Sequence, residues 1–150
     1  MQEHCSLGSH AMLVTNTDLS RLKQMIVDWN IQSCEIACCN GPDSTSVSGP
    51  IEKLEVLQDW LKQLDLKAAL LQVPYAFHSS QIEPILTEFG LLAQAIHFSR
   101  PSIPIVSTLL GKVVSEPGTF GATYLVKQTR ETVQFSLAVA EAQAHGLGQD

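Results

Sequence analysis

Two apolar periodicities alternate between residues 11 and 73, and they constrain the fold more than any other feature. Short apolar runs, typical of β-strands, alternate with stripes spaced three and four residues apart, which is the period of one helix face. The predicted strands cover 11–15, 34–39, 44–48 and 68–73, and the stripes run through 19–29 and 51–64. The resulting order, βαββαβ, predicts an α+β fold that begins with a ferredoxin-like unit.

Local signals place the ends of these segments. Thr17 or Asp18 is suited to cap the first helix, and Asn40-Gly41-Pro42-Asp43 is typical of a hairpin turn. Gly49-Pro50 predicts the end of the third strand, because proline lacks the N–H that a sheet needs and suits the first turn of a helix.

The segment after residue 73 has a different pattern. A stripe over 82–93 predicts a helix capped by Ser79 or Ser80, and 105–114 predicts one or two short strands around a turn at Gly111. A short helix or turn over 122–128 and a last helix over 132–144 follow, which puts Glu131 at a helix start. No sheet partner for the short strands is evident, so we expect them to be unpaired within this chain.

Charge and composition exclude several classes of function. The net charge is −6 with no basic run, which argues against nucleic acid or an anionic membrane surface as the main partner. No apolar run approaches the ~20 residues of a membrane-spanning helix. The first twelve residues lack the layout of a secretory signal, so we expect a cytoplasmic protein.

The four cysteines are Cys5, Cys34, Cys38 and Cys39. Their spacing matches neither a disulfide framework nor a zinc site, and no phosphate-binding glycine loop is present. We therefore predict reduced thiols, largely buried, and no bound metal or cofactor.

One histidine stands in a chemically suggestive place. His78 follows an aromatic turn, Pro74-Tyr75-Ala76-Phe77, and precedes two serines and the predicted helix. A neutral histidine in an apolar setting can act as a general base, but the residues alone favour a hydrogen-bonded structural histidine. The serines are typical helix caps, and no Gly-x-Ser-x-Gly elbow occurs in the 150 residues.

Three phrases of the sequence together resemble one protein family. They are Glu35-Ile36-Ala37-Cys38-Cys39-Asn40-Gly41-Pro42, then Val47-Ser48-Gly49-Pro50, then residues 73–86 around Ala76-Phe77-His78. Further similarity follows at 104–107 and 124–135, in the same order. The chain resembles the acyltransferase domain of polyketide synthases, most closely the fungal iterative, non-reducing type.

The resemblance implies a two-part fold. In that family a ferredoxin-like subdomain is inserted in a larger α/β-hydrolase-like subdomain. We therefore expect a lead-in at 1–10, the ferredoxin-like subdomain at 11–73, and part of the large subdomain at 74–150.

The resemblance also implies a reaction and its residues. His78 would be the general base of a Ser–His dyad that moves a malonyl group from malonyl-CoA to the phosphopantetheine thiol of an acyl carrier protein. The backbone carbonyl of Glu131 would orient His78. Phe77, beside the histidine, would size the pocket for malonyl, and Ala76 and Asn40 are further candidates for substrate binding. The partners would be the carrier protein and the other synthase domains.

The sequence departs from the family pattern in one important respect. The family nucleophile lies in a Gly-His-Ser-x-Gly motif that these 150 residues lack, so the chain resembles the C-terminal part of the domain and is expected to be inactive alone. Thr132 and Gln128 also replace residues common in the family. Two alternatives remain: a non-catalytic module that docks a carrier protein, and a truncated gene product without function.

Overall fold

The computed structural model describes residues 8–146, so Cys5, most of the expected lead-in and the last four residues lie outside the described part. Its first six elements follow the predicted order. They are β1 (His10–Thr15), α1 (Leu19–Asp28), β2 (Glu35–Gly41), β3 (Ser44–Pro50), α2 (Ile51–Gln63) and β4 (Ala68–Leu71). The four strands form one antiparallel sheet in the order β2-β3-β1-β4.

The two helices cover this sheet and form the main core. Asp18 caps α1, since its Oδ1 accepts a hydrogen bond of 2.9 Å from the amide of Arg21. The residues of the core are apolar side chains that strands and helices contribute jointly, and all are at most 7% exposed: Leu13, Val47, Leu22, Ile26, Leu54, Leu57 and Leu61. Their burial is the main stabilising contribution to this part of the fold, at about 25 cal/mol per Å² of apolar surface removed from water.

The third strand is longer than predicted. β3 continues through Gly49 and Pro50, which pair with Ala11 and His10 of β1. Gly49 is suited to this position because a Cβ there would lie 2.9 Å from Cys34 Sγ and 3.1 Å from Cys34 Cα. The glycine permits close packing inside the sheet rather than ending the strand.

The second half begins with a 3₁₀ turn and continues as helices around a small hairpin. Its elements are the turn Ser80–Ile82, α3 (Glu83–Gln94), β5 (Ile105–Ser107), β6 (Lys112–Val114), α4 (Ala122–Arg130) and α5 (Phe135–Ala144). The expectation of unpaired short strands is wrong, because β5 and β6 pair with each other as an antiparallel hairpin. Gly111, with φ +62°, lies in their connection.

Two helix boundaries differ from the prediction. Glu131 does not start a helix, since it directly follows the last residue of α4, and α5 begins only at Phe135. Between the two helices Glu131 is extended, Val133 bonds to β2 and Gln134 bonds to Thr108, so the helix does not continue.

The helices of the second half pack against different partners. α3 packs against α4, and α5 packs against β2 and the β5–β6 hairpin. Within residues 8–146, no helix is both long enough and apolar enough to cross a membrane.

Candidate active site

The turn that carries His78 has a strained backbone. His78 adopts φ +55°, a left-handed conformation that L-residues other than glycine seldom occupy. Such a conformation costs on the order of 1–3 kcal/mol and persists only where the surrounding structure holds it. Asn30 and Asp65 share this conformation, so the turn is distinguished by the contacts that hold His78 and not by its φ alone.

Two side chains of the sheet hold the turn on either side of His78. Ser48 of β3 donates its hydroxyl to the carbonyl of Phe77 at 2.6 Å. Glu35, the first residue of β2, accepts the amide of Ser80 on Oε1 at 2.7 Å. The sheet therefore determines where the histidine stands.

The turn also bonds to itself. Ser79 donates to the carbonyl of Ala76 at 2.6 Å, and Gln81 accepts the amide of Ala76 on Oε1 at 2.6 Å. The hydroxyl of Ser79 accepts from the amide of Gln81, so Ser79 caps the 3₁₀ turn. Ser79 is buried and occupied in these bonds, which is the behaviour of a cap rather than a nucleophile.

The imidazole of His78 contacts a backbone carbonyl that lies 53 positions later in the chain. Its Nδ1 lies 3.0 Å from the carbonyl oxygen of Glu131. A carbonyl oxygen can only accept, so neutral His78 carries its proton on Nδ1 and keeps the lone pair on Nε2. This is the tautomer that a general base acting through Nε2 requires.

Burial lowers the pKa of His78 below its ordinary value of 6.5, while hydrogen bonds to the backbone carbonyls of Glu131 and Gln128 act in the opposite direction. The neutral imidazole therefore predominates near pH 7, as proton abstraction requires. Both carbonyls belong to the C-terminal end of α4. The partial negative charge of a helix C-terminus favours the imidazolium that forms when the base takes a proton.

The segment that supplies the Glu131 carbonyl is attached to the sheet. Thr132 donates its hydroxyl to the carbonyl of Ile36 at 2.7 Å. Val133 donates its amide to the carbonyl of Ala37 at 2.8 Å and accepts the amide of Cys39 at 2.8 Å. This segment adds a short parallel bridge to the outer edge of β2.

Arg130 ties the same region together by ion pairs. Its guanidinium lies 2.8 Å from Oε2 of Glu35 and 2.9 Å from Oε1 of Glu83. An open cleft of about 580 Å³ adjoins these groups. Its lining residues are Lys23, Glu35, Ile36, Glu83, Arg130, Glu131 and Thr132.

The other residues singled out in the sequence occupy different places. Ala76 is fully buried, and Phe77 is half-buried with its ring edge-on to Tyr75 at 6.1 Å between centroids. Asn40 is exposed near the β2–β3 turn, where it donates to Ser46 at 3.0 Å. Asn40 lies five positions after Glu35, roughly 16 Å along an extended strand.

The three cysteines within residues 8–146 are Cys34, Cys38 and Cys39, and burial keeps them unreactive. Burial raises the pKa of Cys34 to about 11 and also raises the pKa values of Cys38 and Cys39. Near pH 7 these groups are neutral thiols, which are weak nucleophiles. Within the described range, no cluster of three or more His, Cys, Asp or Glu residues is arranged to hold a metal ion.

A comparison with known protein families assigns the chain to one of them. The sequence model described as "Acyl transferase domain" matches residues 4–148. The chain belongs to the acyl transferase domain family.

Relatives place this acyltransferase sequence among fungal non-reducing polyketide synthases. It is 45% identical over 146 residues, 97% of its length, to the non-reducing polyketide synthase men2 of Menisporopsis theobromae. It is 39% identical over all 150 residues to the non-reducing polyketide synthase PKS16 of Cladonia grayi. The chain spans about 7% of the length of each of these relatives.

Solved acyltransferase structures share the fold. The acyltransferase domain from module 8 of the salinomycin polyketide synthase superposes with a TM-score of 0.86 at 28% identity, covering 95% of this chain and 33% of that domain. The malonyl CoA-acyl carrier protein transacylase of Clostridium perfringens also gives 0.86, at 22% identity, covering 97% of this chain and 46% of that one.

Sequence reasoning missed several residues that surround His78 in the structure. Glu35, Arg130 and Ser48 hold the His78 turn or the Glu131 segment, yet none stands in a chemical motif of its own. Glu35 and Ser48 do lie within phrases that carry the family resemblance, and that position was the available signal. Arg130 precedes the residue whose carbonyl was expected to orient His78.

Proposed function

We propose that this chain supplies the general base of a polyketide synthase acyltransferase that moves malonyl units from malonyl-CoA to an acyl carrier protein. The observation that carries the proposal is the 3.0 Å contact from His78 Nδ1 to the Glu131 carbonyl. It fixes the tautomer and leaves Nε2 as the proton acceptor. The lowered pKa of His78, caused chiefly by burial, keeps that acceptor unprotonated near pH 7.

The proposed chemistry has two symmetrical halves. Nε2 of His78 takes the proton of a serine hydroxyl as its oxygen attacks the malonyl thioester carbon, and the C–S bond then breaks. The same proton passes to the departing sulfur of coenzyme A. The phosphopantetheine thiol of the carrier next gives its proton to His78 as its sulfur attacks the malonyl-serine ester. The ester C–O bond breaks, and His78 returns the proton to the serine oxygen. The serine lies outside these 150 residues, and the reaction uses no bound cofactor or metal.

The fold supports a subdomain assignment on which this reaction depends. We assign residues 11–73 to a ferredoxin-like subdomain and residues 74–150 to part of an α/β-hydrolase-like large subdomain, with 1–10 leading in. The sheet order β2-β3-β1-β4 with two helices supports the first part. Contacts from Ser48 and Glu35 to the His78 turn join the two parts.

Phe77 is the proposed determinant of extender choice. It directly precedes His78 in the chain, and its half-buried ring is held edge-on to that of Tyr75. A bulky ring there leaves little room for a branch on the malonyl carbon. Ala76 would form the base of the pocket, while Asn40 would act only from the far end of β2. The carrier protein and the remaining synthase domains are the proposed partners, in the cytoplasm.

A hybrid domain tests the proposal. In it, this chain replaces the homologous segment of the men2 acyltransferase domain, so that a nucleophilic serine is present. Radiolabelled malonyl-CoA should label the serine of the hybrid and then the carrier protein. His78→Gln should lower the transfer rate by about 10²- to 10⁴-fold.

The matched control is His97→Gln, the same change at an exposed histidine. It should leave the rate unchanged. The 150-residue chain alone should take up no label. Full activity of the His78→Gln hybrid would refute the role of His78, and labelling of the isolated chain would refute the external nucleophile.

A further inference from the structure

We propose that Glu35 is a positioning residue for the His78 base, because its one carboxylate holds both sides of the His78–Glu131 contact. The inference rests on the proposed function for its catalytic consequence. Its structural part, the control of the His78 tautomer, stands on geometry alone.

The two oxygens of Glu35 have different partners. Oε1 accepts the amide of Ser80 at 2.7 Å, two residues after His78. Oε2 accepts from the guanidinium of Arg130 at 2.8 Å, one residue before Glu131. The imidazole and the carbonyl that it meets are therefore both tied to the first residue of β2.

Two other contacts each hold only one of these sides, either the His78 turn or the segment that carries Glu131. Ser48 bonds to the His78 turn through Phe77, and Thr132 bonds the Glu131 segment to Ile36. Neither reaches the opposite side. Arg130 also bonds to Glu83 at the start of α3, five positions after His78, whereas Glu35 reaches the turn itself through the amide of Ser80.

The pair is partly shielded from water. The side chains of Glu35 and Arg130 are 28% and 26% exposed, whereas Glu83, the other partner of Arg130, is 56% exposed. Charge-assisted hydrogen bonds in such a setting are stronger than neutral ones and restrict geometry. Burial tends to raise the pKa of Glu35, but the bonds from Ser80 and Arg130 outweigh it and lower the pKa, so the carboxylate is charged near pH 7.

The role of Glu35 is separable from simple stabilisation. Glu35→Gln keeps an oxygen for the Ser80 amide and loses the acceptor for Arg130. Glu35→Ala loses both bonds. A positioning role therefore predicts graded effects on His78, with Glu35→Ala larger than Glu35→Gln.

The first test reads the histidine directly in the full 150-residue chain. Imidazole ¹⁵N signals, assigned to His78 with His78→Gln, report which nitrogen carries the proton. The unchanged chain should show the proton on Nδ1. Glu35→Gln should shift the population towards the Nε2-protonated form, and Glu35→Ala should shift it further.

The control is Glu55→Gln, which removes the same charge from an exposed position of α2. It should leave the His78 signals unchanged. If Glu35→Ala fails to fold, the isosteric Glu35→Gln and Arg130→Met decide. An unchanged tautomer in Glu35→Gln and Arg130→Met chains with native backbone spectra would overturn the proposal.

The second test measures malonyl transfer in the hybrid domain. Glu35→Gln should lower kcat about tenfold and Glu35→Ala about 100-fold, since misplacing a catalytic group by 1 Å can cost about 10² in rate. KM for malonyl-CoA should stay the same. Arg130→Met added to Glu35→Gln should lower kcat no further, because both changes remove the Glu35–Arg130 bond, and the second bond that Arg130→Met removes, to Glu83, does not reach the His78 turn.

The two tests fail in distinguishable ways. A hybrid that stays active with His78→Gln refutes the proposed function, while the imidazole signals still show whether Glu35 orients His78. An unchanged kcat in Glu35→Ala, in a hybrid that His78→Gln inactivates, refutes the positioning role alone.

Discussion

The Nδ1 atom of His78 and the carbonyl oxygen of Glu131 lie 3.0 Å apart, although 53 positions separate the two residues in the chain. One stands in a strained turn and the other directly after a helix. Both are bound to β2, the histidine turn through Ser80 and the carbonyl segment through Thr132 and Val133. The sheet is therefore the common support of the two partners.

Stability should depend on pH through His78. Its folded pKa lies below the ordinary 6.5, so below pH 6.5 the unfolded chain binds more protons than the folded one. The free energy of unfolding should therefore fall as pH drops through 6.5 towards the lower pKa of the folded state. Urea unfolding of the chain and of His78→Gln measures the effect. The variant should lose part of this slope, and an identical slope would contradict the assignment.

Ser48→Ala should destabilise the chain. The serine is fully buried, and its hydroxyl donates to the carbonyl of Phe77 at 2.6 Å. Removing the donor leaves that carbonyl without this partner, which costs about 1–3 kcal/mol. Urea unfolding checks the value. Ser102→Ala, at an exposed loop position, is the control and should stay within about 0.5 kcal/mol.

Gly49→Ala should also destabilise the chain, for a steric reason. The added Cβ would meet Cys34 Sγ at 2.9 Å and the Ser33 carbonyl oxygen at 3.2 Å. Overpacking of this kind costs about 1–3 kcal/mol. In the control Gly121→Ala the added Cβ meets nothing within 4 Å. Thermal unfolding should therefore show a lower melting temperature for Gly49→Ala than for Gly121→Ala. Equal melting temperatures would refute the steric account.

Phe77→Ala should widen the choice of extender. Removing the ring leaves space for a methyl branch, and a methylene-sized difference in a pocket changes selectivity about tenfold or more. The ratio of kcat/KM for methylmalonyl-CoA to that for malonyl-CoA should rise by that order in the hybrid domain. Tyr75→Phe keeps the aromatic contact and should leave the ratio unchanged. A constant ratio in Phe77→Ala would assign selectivity elsewhere.

The isolated chain should self-associate. Several large apolar side chains of the second half are more than half exposed: Leu91, Leu92, Ile96, Ile103 and Leu137. Exposed apolar surface of this kind favours association in water. Sedimentation velocity should show species larger than a monomer, reduced by Leu91→Gln with Leu92→Gln. Leu64→Gln, at an exposed leucine beside α2, should have little effect, and a clean monomer of the unchanged chain would contradict the expectation.

The order of helices and strands was predictable because periodicity reports which face of each element is buried. The stripe through Leu54, Leu57 and Leu61 is fully buried in the structure, as such spacing predicts. The extension of β3 was not predictable, since Gly49 and Pro50 usually end strands. Only the approach of Cys34 explains the glycine.

The site was predictable only in part. The pattern around His78 and the family resemblance led to the histidine, and the resemblance led to Glu131. The bond from Arg130 to Glu35 spans 95 positions and leaves no local trace in the sequence. Hydrogen bonds between distant segments follow from the fold, so periodicity and spacing do not report them.

The attachment of Thr132 and Val133 to β2 has a consequence for how the protein folds. The bond from Thr132 to Ile36 closes a loop of 96 positions, and such long-range contacts carry a large loop-closure entropy. The strand pairs of the sheet span at most 59 positions, from Met12 to Leu71, whereas the bond from Thr132 to Ile36 spans 96. We therefore expect the His78–Glu131 contact to form after the sheet, and local detachment of residues 131–134 to release the imidazole of His78 while the core stays intact.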